Sequence, residues 1–585
     1  MRRQMNLNAL SGSAKCTLFL VVLSACGCRP ERPDVPNPTE EVVPAEATGP
    51  PWFEDVTLAS GLRFNHDPGP IDESHFMPQI MGSGAALFDA NGDNRLDIYL
   101  VQNGGPKGAR NVFYLQQQDG SFQDASAGSG LDVAGYGMGV AIGDVDNDGR
   151  ADVLLTEFGA TRFFRNEGQG RFRETTKESR IDNPAWGTSA SYLDYDRDGW
   201  LDLIVVNYLN LDPRQICRDA SGRRSYCHPN TFPGTATRLY RNRGLDSSSR
   251  WLGFEDVTTA TGFGSRLAPG LGVVCADFTG DGWPDVFVAN DGKANHLWVN
   301  KRNGTFREEA ATRGLAFNMQ GQTQGNMGVA LGDVDGDKLD DLFVTHLTSE
   351  YHGLWRQGPR GQFQEAAAGL GLTRSRWRGT GFGTVLADFD GDGGLDLSVV
   401  NGRVYRSAAA GGSYWEPYAE RNQLFANDGR GNFRDVTTDT PAFGGKAGVY
   451  RGLAVGDVNG DGAPDLLVTE IGGPARLYRN IAPRRGHWLT VQAIETVGRR
   501  EAIGAVVRVR AGSRSWTRLI QPGQSYLCSN DPRAMFGLGD VTTVDEIVVI
   551  WADGRREAFP GGRVDCVRVL QKGQGQAVLP GKESE

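Results

Sequence analysis

The sequence is poor in the motifs that most catalytic sites require. Its seven histidines are scattered along 585 residues, and it contains neither an HExxH zinc motif nor a Walker phosphate-binding loop. Gly135, Gly137 and Gly139 precede a predicted strand rather than a helix. A dinucleotide-binding fingerprint needs a helix at that point, so this cofactor class is excluded.

Basic charge is also scarce. The formal net charge is -10, and no cluster of lysine and arginine forms a basic patch, which argues against nucleic acid as a partner. The apolar run near the N-terminus, residues 18–23, is shorter than the roughly 20 residues that a membrane-spanning helix needs. The composition is that of a soluble globular chain, and its length predicts two or more domains.

The N-terminus reads as an export signal. Arg2, Arg3 and Lys15 provide a basic start, and the apolar run ends in Leu-Ser-Ala-Cys at Cys26. This ending resembles the lipobox of bacterial lipoproteins, which implies residues 1–26 as signal peptide and Cys26 as the lipidated residue. An ordinary secretory signal cleaved nearby is the alternative.

Residues 27–50 are rich in proline and glutamate and are expected to form a disordered tether. Gly27 follows the cysteine, and by the same resemblance this favours the outer membrane, facing either the periplasm or the cell surface. Contact with a membrane is therefore expected only through the lipid anchor.

What is abundant is an internal repeat. A nine-residue pattern with acidic, amide or hydroxyl side chains at positions 1, 3, 5 and 9 occurs seven times. An apolar Gly-rich stretch precedes each copy, and three further short β-type stretches follow it. Four strands per repeat are typical of a β-propeller blade.

The repeats predict an all-β, seven-bladed propeller over residues 51–480. A fourth-strand motif at residues 52–57 precedes the first acidic loop, while the last acidic loop, at Asp457, has no such motif after it. We therefore expect the N-terminal strand to complete the last blade and close the ring. An open array or two smaller propellers are the alternatives.

The acidic loops are predicted to bind up to seven Ca²⁺ ions, because oxygen ligands at alternating positions of a tight loop suit this cation. An EF-hand is excluded because its loop joins helices and needs a glutamate at position 12. Magnesium retains more water, and zinc prefers the Cys and His ligands that these loops lack. An ordinary solvated turn is the remaining alternative for any single copy.

The candidate ligands at positions 1, 3, 5 and 9 of the successive copies are Asp89, Asn91, Asp93 and Asp97; Asp144, Asp146, Asp148 and Asp152; Asp194, Asp196, Asp198 and Asp202; Asp277, Thr279, Asp281 and Asp285; Asp333, Asp335, Asp337 and Asp341; Asp388, Asp390, Asp392 and Asp396; and Asp457, Asn459, Asp461 and Asp465. Position 6, which needs a left-handed turn, is glycine in five copies, Asn94 in the first and Lys338 in the fifth. The loops with Asn91, Thr279 and Lys338 are expected to bind the ion most weakly.

These loops resemble the FG-GAP/VCBS repeats of integrin α-subunit propellers. The segments HWLTV, EAIGAVVRV, GQSYLCSNDPRAMFGLG and VDEIVVIWADG, between His487 and Gly554, resemble the ASPIC/UnbV domain. Together the two resemblances imply a bacterial relative of cartilage acidic protein. They place an ASPIC/UnbV-like β domain at residues 481–572, expected as a small sandwich or barrel, with a tail at 573–585. The turn at residues 498–501 departs from the Asn-Arg pair that is usual in that domain.

The cysteines predict two disulfides if the chain is exported. Cys217 and Cys227 share one polar loop, and Cys528 and Cys566 share the last domain. Cys275 lies in an apolar run and is expected to be a buried small side chain.

Two functions remain open. The first is a binding or scaffold protein with a protein or polysaccharide partner, in which case no catalytic residue is expected. The second is a calcium-dependent enzyme, related to natural-product tailoring proteins, with a pocket at the propeller centre. A polar pocket beside His66, His75 or His228 favours the enzyme, and a filled channel with exposed aromatic residues favours binding. Blade packing is the simpler explanation for Trp186, Trp377 and Trp415.

Overall fold

A computed structural model describes residues 49–72, 74–375, 377–407, 412–483 and 486–578. Within these residues, seven antiparallel four-strand blades follow one another, as the repeats predict. The predicted signal peptide, Cys26 and most of the tether lie outside the described residues. No helix in the described part of the chain is long and apolar enough to cross a membrane.

The strands of each blade are numbered here from the ring centre outwards. Blades 1 to 3 consist of Ala85–Phe88, Asp97–Leu100, Val112–Gln116 and Phe122–Asp124; Gly137–Gly143, Asp152–Glu157, Thr161–Gly168 and Arg171–Glu174; and Gly187–Leu193, Asp202–Asn207, Arg238–Asn242 and Phe254–Asp256. Blades 4 to 6 consist of Gly270–Ala276, Asp285–Lys293, His296–Asn300 and Phe306–Glu308; Val329–Gly332, Asp341–Val344, Gly353–Gly358 and Gln362–Glu365; and Gly381–Ala387, Asp396–Asn401, Gln423–Asn427 and Phe433–Asp435.

Blade 7 closes the ring. Its first three strands are Tyr450–Gly456, Asp465–Glu470 and Arg476–Asn480, and its outer strand is the N-terminal Phe53–Asp55. Phe53 pairs with Asn480, so the predicted clasp between the two ends of the propeller is confirmed. One apolar core joins side chains of blades 7 and 1, which makes this junction part of a continuous ring.

The inner strands are buried along almost their whole length, and in blades 2 to 4 without exception. Gly137–Gly143, Gly187–Leu193 and Gly270–Ala276 each show seven buried residues in succession. Both faces of a blade pack on neighbouring blades, so the sequences of these strands are almost continuous runs of apolar residues and glycine. Gly143 has a specific reason to be glycine: a Cβ there would lie 2.8 Å from the Tyr192 ring of the next blade.

Short elements occupy the connections. The helices are Pro78–Met81, Thr176–Ser179, Thr258–Thr261, Ala310–Arg313 and Pro441–Gly444, with 3-10 turns at Pro229–Thr231, Phe263–Ser265, Leu372–Arg374, Glu416–Tyr418 and Thr437–Asp439. Additional short strands are Cys217–Arg218, Arg224–Ser225, Gln324–Gly325, Glu420–Arg421, Ala447–Gly448 and Cys528–Ser529.

The C-terminal domain is a β-sandwich, one of the two forms expected. One sheet contains Ala534–Gly539, His487–Ile494 and Cys566–Gln571, and the other contains Arg514–Leu519, Val506–Ala511, Thr543–Ile550, Arg556–Arg563 and Gln576–Ala577. Apolar side chains from both sheets, including Val491, Val507 and Phe536, form one core. The last strand lies beyond residue 572, within the segment expected to be a tail.

One of the two predicted disulfides is wrong. Cys217 and Cys227 are bonded, and Cys275 is buried, as expected. Cys528 and Cys566 are both free. Cys528 leaves the sandwich and pairs beside Ala85 in blade 1, whereas Cys566 pairs beside Leu489 inside the sandwich. The two cysteines belong to the same domain in sequence, but Cys528 lies in the propeller channel and Cys566 lies in the sandwich, so they cannot form a disulfide.

Candidate metal loops and the plugged channel

Each acidic loop joins the first and second strands of its blade and turns in the same way. In blade 2, positions 4 and 6 have positive φ values, 56° at Asn147 and 86° at Gly149. The position-1 carboxylate of Asp144 accepts the amides of Asp148 and Gly149 at 3.1 and 2.8 Å. Lys338, which replaces the usual glycine at position 6 of blade 5, adopts φ 72°, so this loop keeps the left-handed turn.

Three carboxylates converge in four of the loops. In each group, one oxygen from positions 1, 3 and 9 lies within 4.8 Å of the others. The groups are Asp144, Asp146 and Asp152; Asp194, Asp196 and Asp202; Asp333, Asp335 and Asp341; and Asp388, Asp390 and Asp396. The fifth loop is one of the four, so its geometry gives no reason to rank it among the weakest.

The position-5 carboxylates are not part of these groups. Asp148 Oδ1 accepts the amide of Arg150 at 3.0 Å, and Asp198 Oδ1 accepts that of Trp200 at 3.1 Å. In the three remaining loops, Asn91, Thr279 and Asn459 place an amide or hydroxyl oxygen at position 3. The assignment of individual ligands remains a prediction.

The donor set suits a hard cation. Asp146 Oδ1, Asp196 Oδ1 and Asp285 Oδ2 are buried and accept no hydrogen bond. Burial raises the pKa of Asp285 and of Asp465 to about 8, and it raises the pKa of Asp152 well above its usual range. Buried carboxylate oxygens that accept no hydrogen bond favour a positive ion beside them, and an oxygen-only donor set is the kind that calcium takes.

Arginines near the end of the third strand reach the same carboxylates. Arg241 Nε lies 2.7 Å from Asp196 Oδ2, and Arg165 and Arg356 form the corresponding ion pairs with Asp146 and Asp335. These arginines were not among the candidate residues predicted from the sequence. Their signal was the recurring arginine before the final Asn or Gln of the third strand, as in RFFRN, RLYRN and LWRQ.

A ring of amide side chains connects neighbouring loops. The last Asn or Gln of the third strand donates to the position-2 carbonyl of the preceding blade's loop. The seven bonds run from Gln116 to Val458, Asn166 to Ala90, Asn242 to Val145, Asn300 to Tyr195, Gln357 to Phe278, Asn427 to Val334 and Asn480 to Phe389, at 2.7–3.1 Å. The first of them joins blade 1 to blade 7, so every acidic loop is tied to the next blade.

The central channel is filled by a segment of the C-terminal domain, residues 521–531, called here the channel plug. Its Ser525 exchanges backbone hydrogen bonds with Val329 of blade 5, at 3.0 and 2.7 Å. Ser525 Oγ also donates to Leu453 O of blade 7 and accepts the Thr384 amide of blade 6. One serine therefore joins three blades.

Other plug residues reach the remaining blades. Cys528 pairs with Ala85 of blade 1, and Leu527 O accepts the Val140 amide of blade 2 at 3.1 Å. Gln521 Nε2 donates to carbonyls of blades 3 and 4, those of Tyr192 and Cys275, both at 3.3 Å. The plug thus hydrogen-bonds the innermost strand of all seven blades. It includes the GQSYLCSND motif, for which the sequence suggested no role.

The sandwich docks on the end of the propeller that carries the acidic loops. Arg500 Nη2 donates to Gly199 O at 3.3 Å, and Arg518 Nη2 donates to Gly393 O at 3.4 Å. Arg533 Nη2 donates to Asp457 O at 3.1 Å. Three arginines of one domain therefore contact three acidic loops of the other. Arg500 belongs to the unusual turn at residues 498–501, which gives that turn a docking role.

Long loops cover the opposite end of the channel. Residues 208–237 of blade 3, and residues 402–407 and 412–422 of blade 6, lie between second and third strands and therefore at the end away from the acidic loops. They meet where Tyr414 Oη lies 3.3 Å from Tyr226 Oη. Between them is a cavity of about 590 Å³, called here the mouth cavity. It is lined by several residues between 215 and 231 from the blade 3 loop and by Tyr405 and Arg406 from the blade 6 loop.

The singled-out histidines have different surroundings. His66 is buried, accepts the Gly472 amide at 3.2 Å, and has its pKa lowered to about 3 by burial. His75 packs edge-on against Tyr226. His228 lines the mouth cavity. The channel that the enzyme hypothesis required to be open is filled, but a polar cavity does lie beside one of the three histidines.

The tryptophans are mainly packing residues. Trp186 is buried and its ring lies 4.9 Å from that of Tyr208. Trp415 packs at the same distance on Tyr414 in the blade 6 loop. Trp377 is half-buried. Blade and loop packing therefore accounts for Trp186 and Trp415.

Comparison with known proteins supports this architecture. The FG-GAP-like repeat profile matches residues 89–155, 144–205, 277–344, 333–399 and 409–468, and the ASPIC and UnbV profile matches residues 495–577. Cartilage acidic protein 1 of Mus musculus is 27% identical over 322 residues, covering 53% of this chain and 46% of that protein. The Homo sapiens protein is 26% identical over 355 residues, covering 58% and 50%. The chain thus spans about half the length of the curated relatives it matches.

Solved structures show a weaker similarity. An Agrocybe aegerita lectin that recognises non-reducing terminal N-acetylglucosamine is 15% identical with a TM-score of 0.38, covering 67% of this chain and 86% of the lectin. BBS1N, solved in complex with ARL6DN, is 11% identical with a TM-score of 0.35, covering 74% and 98%. Similarity at this level carries no information on function. The repeat matches include all seven acidic loops, and the chain belongs to the FG-GAP repeat family, with an ASPIC/UnbV domain after its repeats.

Proposed function

We propose that the protein is a calcium-binding, envelope-anchored propeller that acts as a binding or scaffold protein of the adhesion type. The observation that carries the calcium part is the convergence of three carboxylates in each of four loops, with unpaired buried oxygens among them. Calcium takes 6–8 oxygen ligands, and the loop carbonyls and water would supply the rest.

The filled channel supports binding rather than catalysis. The plug occupies the centre of the ring, where a propeller enzyme would need an open pocket. What the propeller then offers a partner is its loop surface, held rigid by the amide ring and the plug. Rigid scaffolds with variable surface loops are well suited to recognition.

A calcium-dependent enzyme is the second candidate, favoured by the mouth cavity beside His228. His228 Nδ1 accepts the Asn230 amide at 3.1 Å, and no carboxylate of the described residues hydrogen-bonds its Nε2. The ring therefore lacks the partner that usually orients a catalytic base. A His228→Gln variant separates the two functions: an enzyme would lose turnover more than ligand binding.

Anchoring through a lipid on Cys26 is part of the proposal. It rests on the lipobox-like residues before Cys26. A Cys26→Ser variant should lose the acyl mass from its N-terminal peptide and move from the membrane to the soluble fraction. Retention of the variant in the membrane fraction would contradict the anchor.

The calcium part is tested by thermal unfolding of the purified protein in calcium, in magnesium and in excess chelator. Ions that bind only the folded protein raise the midpoint. Asp152→Asn should reduce the rise, because Asp152 belongs to a convergent group. Asp119→Asn is the control, since Asp119 lies in an exposed turn. Equal midpoints in calcium and in chelator would contradict the proposal.

A further inference from the structure

The mouth cavity is a built feature of the propeller end that the sandwich leaves open. None of its lining residues belongs to the C-terminal domain. Its walls come from blades 3 and 6, which are not adjacent: blades 4 and 5 lie between them on one side of the ring, and blades 7, 1 and 2 on the other. Two long loops therefore cross the ring face to enclose one space of about 590 Å³, a volume within the usual range for a small-ligand site.

The walls of the cavity are held in place. The Cys217–Cys227 disulfide closes the hairpin of Cys217–Arg218 and Arg224–Ser225, which forms one wall. Tyr226 follows that hairpin and packs on Tyr418 of the opposite loop, with ring centroids 5.9 Å apart. A ligand entering the cavity therefore meets a pre-organised surface and loses less affinity to loop ordering.

The cavity presents positive charge without a matching carboxylate. Arg406 donates from Nε to Tyr418 Oη at 3.2 Å and lies over the Tyr414 ring at 5.5 Å. Arg218 donates from Nη1 to Gly222 O at 2.8 Å. Neither arginine forms an ion pair with a carboxylate within the described ranges. The one carboxylate in the lining, Asp219, pairs with Arg223 instead.

Neutral donors and flat rings complete the wall. His228 Nδ1 accepts the Asn230 amide, so the proton of its ring lies on Nε2. The His228 and Tyr405 rings are stacked, with centroids 6.3 Å apart and an angle of 24° between their planes. Burial, with the nearby charges of Asp291 and Glu350, raises the pKa of Tyr405 to about 12, so its phenol remains a donor at neutral pH.

We propose that the mouth cavity binds a carboxylated saccharide, a unit of the uronic acid class. The flat faces of His228 and Tyr405 suit the C–H face of a sugar ring, and Arg218 and Arg406 suit its carboxylate. The inference rests on the proposed binding function and specifies its ligand. An acceptor-rich anion fits because Arg218 and Arg406 have hydrogen-bond partners but no carboxylate partner among the described residues.

A protein partner fits the cavity less well. Peptide recognition uses a sheet edge, a long groove or a helix-sized cleft. The mouth cavity is instead a small space between two crossing loops, with both arginines in its wall. A neutral sugar would leave those two guanidinium groups without a counter-charge, which makes the acidic sugar the better match.

The test is calorimetric titration of the full protein, in saturating calcium, with digalacturonate and with neutral galactobiose as the matched sugar. Binding of digalacturonate and at least tenfold weaker binding of galactobiose are expected. Arg406→Gln should weaken digalacturonate binding about tenfold by removing one charge-assisted contact. Tyr405→Ala should weaken both sugars. The matched control is Arg214→Gln, on the same loop, because Arg214 is 88% exposed and pairs with Asp212.

Three results would overturn the inference: no binding of digalacturonate, equal binding of the two sugars, or unchanged binding by Arg406→Gln. The last result would mean that the carboxylate binds elsewhere, for example at a loop-bound calcium ion. Calcium content and the unfolding midpoint, measured on the same samples, test the proposed function separately. If the protein retains its calcium but does not bind digalacturonate, the result contradicts the saccharide proposal and leaves the calcium proposal intact.

Discussion

Asn166 Nδ2 donates a 3.0 Å hydrogen bond to the carbonyl of Ala90, which lies 76 residues earlier, in the preceding blade. The backbone amide of Asn166 binds Asp152, the position-9 carboxylate of its own loop. One residue thus connects the acidic loop of blade 2 to the acidic loop of blade 1. The arrangement recurs round the ring, so each acidic loop is hydrogen-bonded to the third strand of the following blade.

Removing one link should destabilise the whole ring. Asn166→Ala leaves the buried carbonyl of Ala90 and the half-buried carbonyl of Ala151 without this donor. We expect the free energy of unfolding to fall by about 1–3 kcal/mol, measured by urea denaturation in saturating calcium. Asn432→Ala, an exposed asparagine bonded to Asp428, is the control and should change it by less than about 0.5 kcal/mol. Equal effects of the two substitutions would contradict a stabilising role for the ring of amide side chains.

The repeated part of this structure could be predicted from the sequence. Each blade must bury the same faces and turn at the same place, so the apolar runs and the acidic loops recur in one register. The missing outer strand of the last blade and the extra strand at Phe53 identified the clasp because together they complete one sheet. Local periodicity therefore determines this part of the fold.

The non-repeated contacts could not be predicted. The plug motif around Ser525 occurs once, and its hydrogen bonds go to strands more than 70 residues away. Asn166 and its equivalents were visible as a recurring Asn, but their acceptors lie in another blade. The Cys528–Cys566 pairing failed for the same reason, since the plug carries Cys528 out of its own domain.

The plug should stabilise the propeller. Gln521→Leu removes the donor that serves the Tyr192 and Cys275 carbonyls while keeping much of the side-chain volume. We expect a loss of about 1–3 kcal/mol in the free energy of unfolding, seen as one cooperative transition. Gln574→Leu is the control because Gln574 is exposed on the sandwich. An unchanged stability would mean that the plug adds nothing to the ring.

Acid should destabilise the protein through His66. Burial, reinforced by Arg451 and opposed by Asp67, lowers the pKa of His66 from 6.5 to about 3. Between these pH values the unfolded chain binds a proton that the folded protein does not. Stability is therefore lost as pH falls below about 6.5, by about 2 kcal/mol from this residue at pH 5.

The measurement is the free energy of unfolding between pH 7.5 and pH 5 in saturating calcium. His66→Gln should lose less stability over this range than the natural protein. Its amide oxygen can still accept the Gly472 amide that His66 Nδ1 accepts. His228→Gln is the matched control, because it makes the same substitution at an exposed histidine far from His66 in the sequence. Parallel curves for all three proteins would contradict the role of His66.

The cysteine assignments predict a labelling pattern. Under native conditions iodoacetamide should label Cys566, which is half-buried, and should label Cys275 and Cys528 only after unfolding. A peptide pair linked through Cys217 and Cys227 should remain until reductant is added. Reduction should then increase trypsin cleavage within residues 208–237. A linked Cys528–Cys566 peptide would contradict the placement of the plug.

The calcium content of the folded ring tests the account most directly. Native mass spectrometry of the purified protein, exchanged into calcium and then into excess chelator, counts the ions bound per chain. The account predicts at least four calcium ions per chain, one for each convergent carboxylate group, and up to seven at saturation. A folded, calcium-treated protein that carries no calcium ion would show that the acidic loops are only turns, and the account would be wrong.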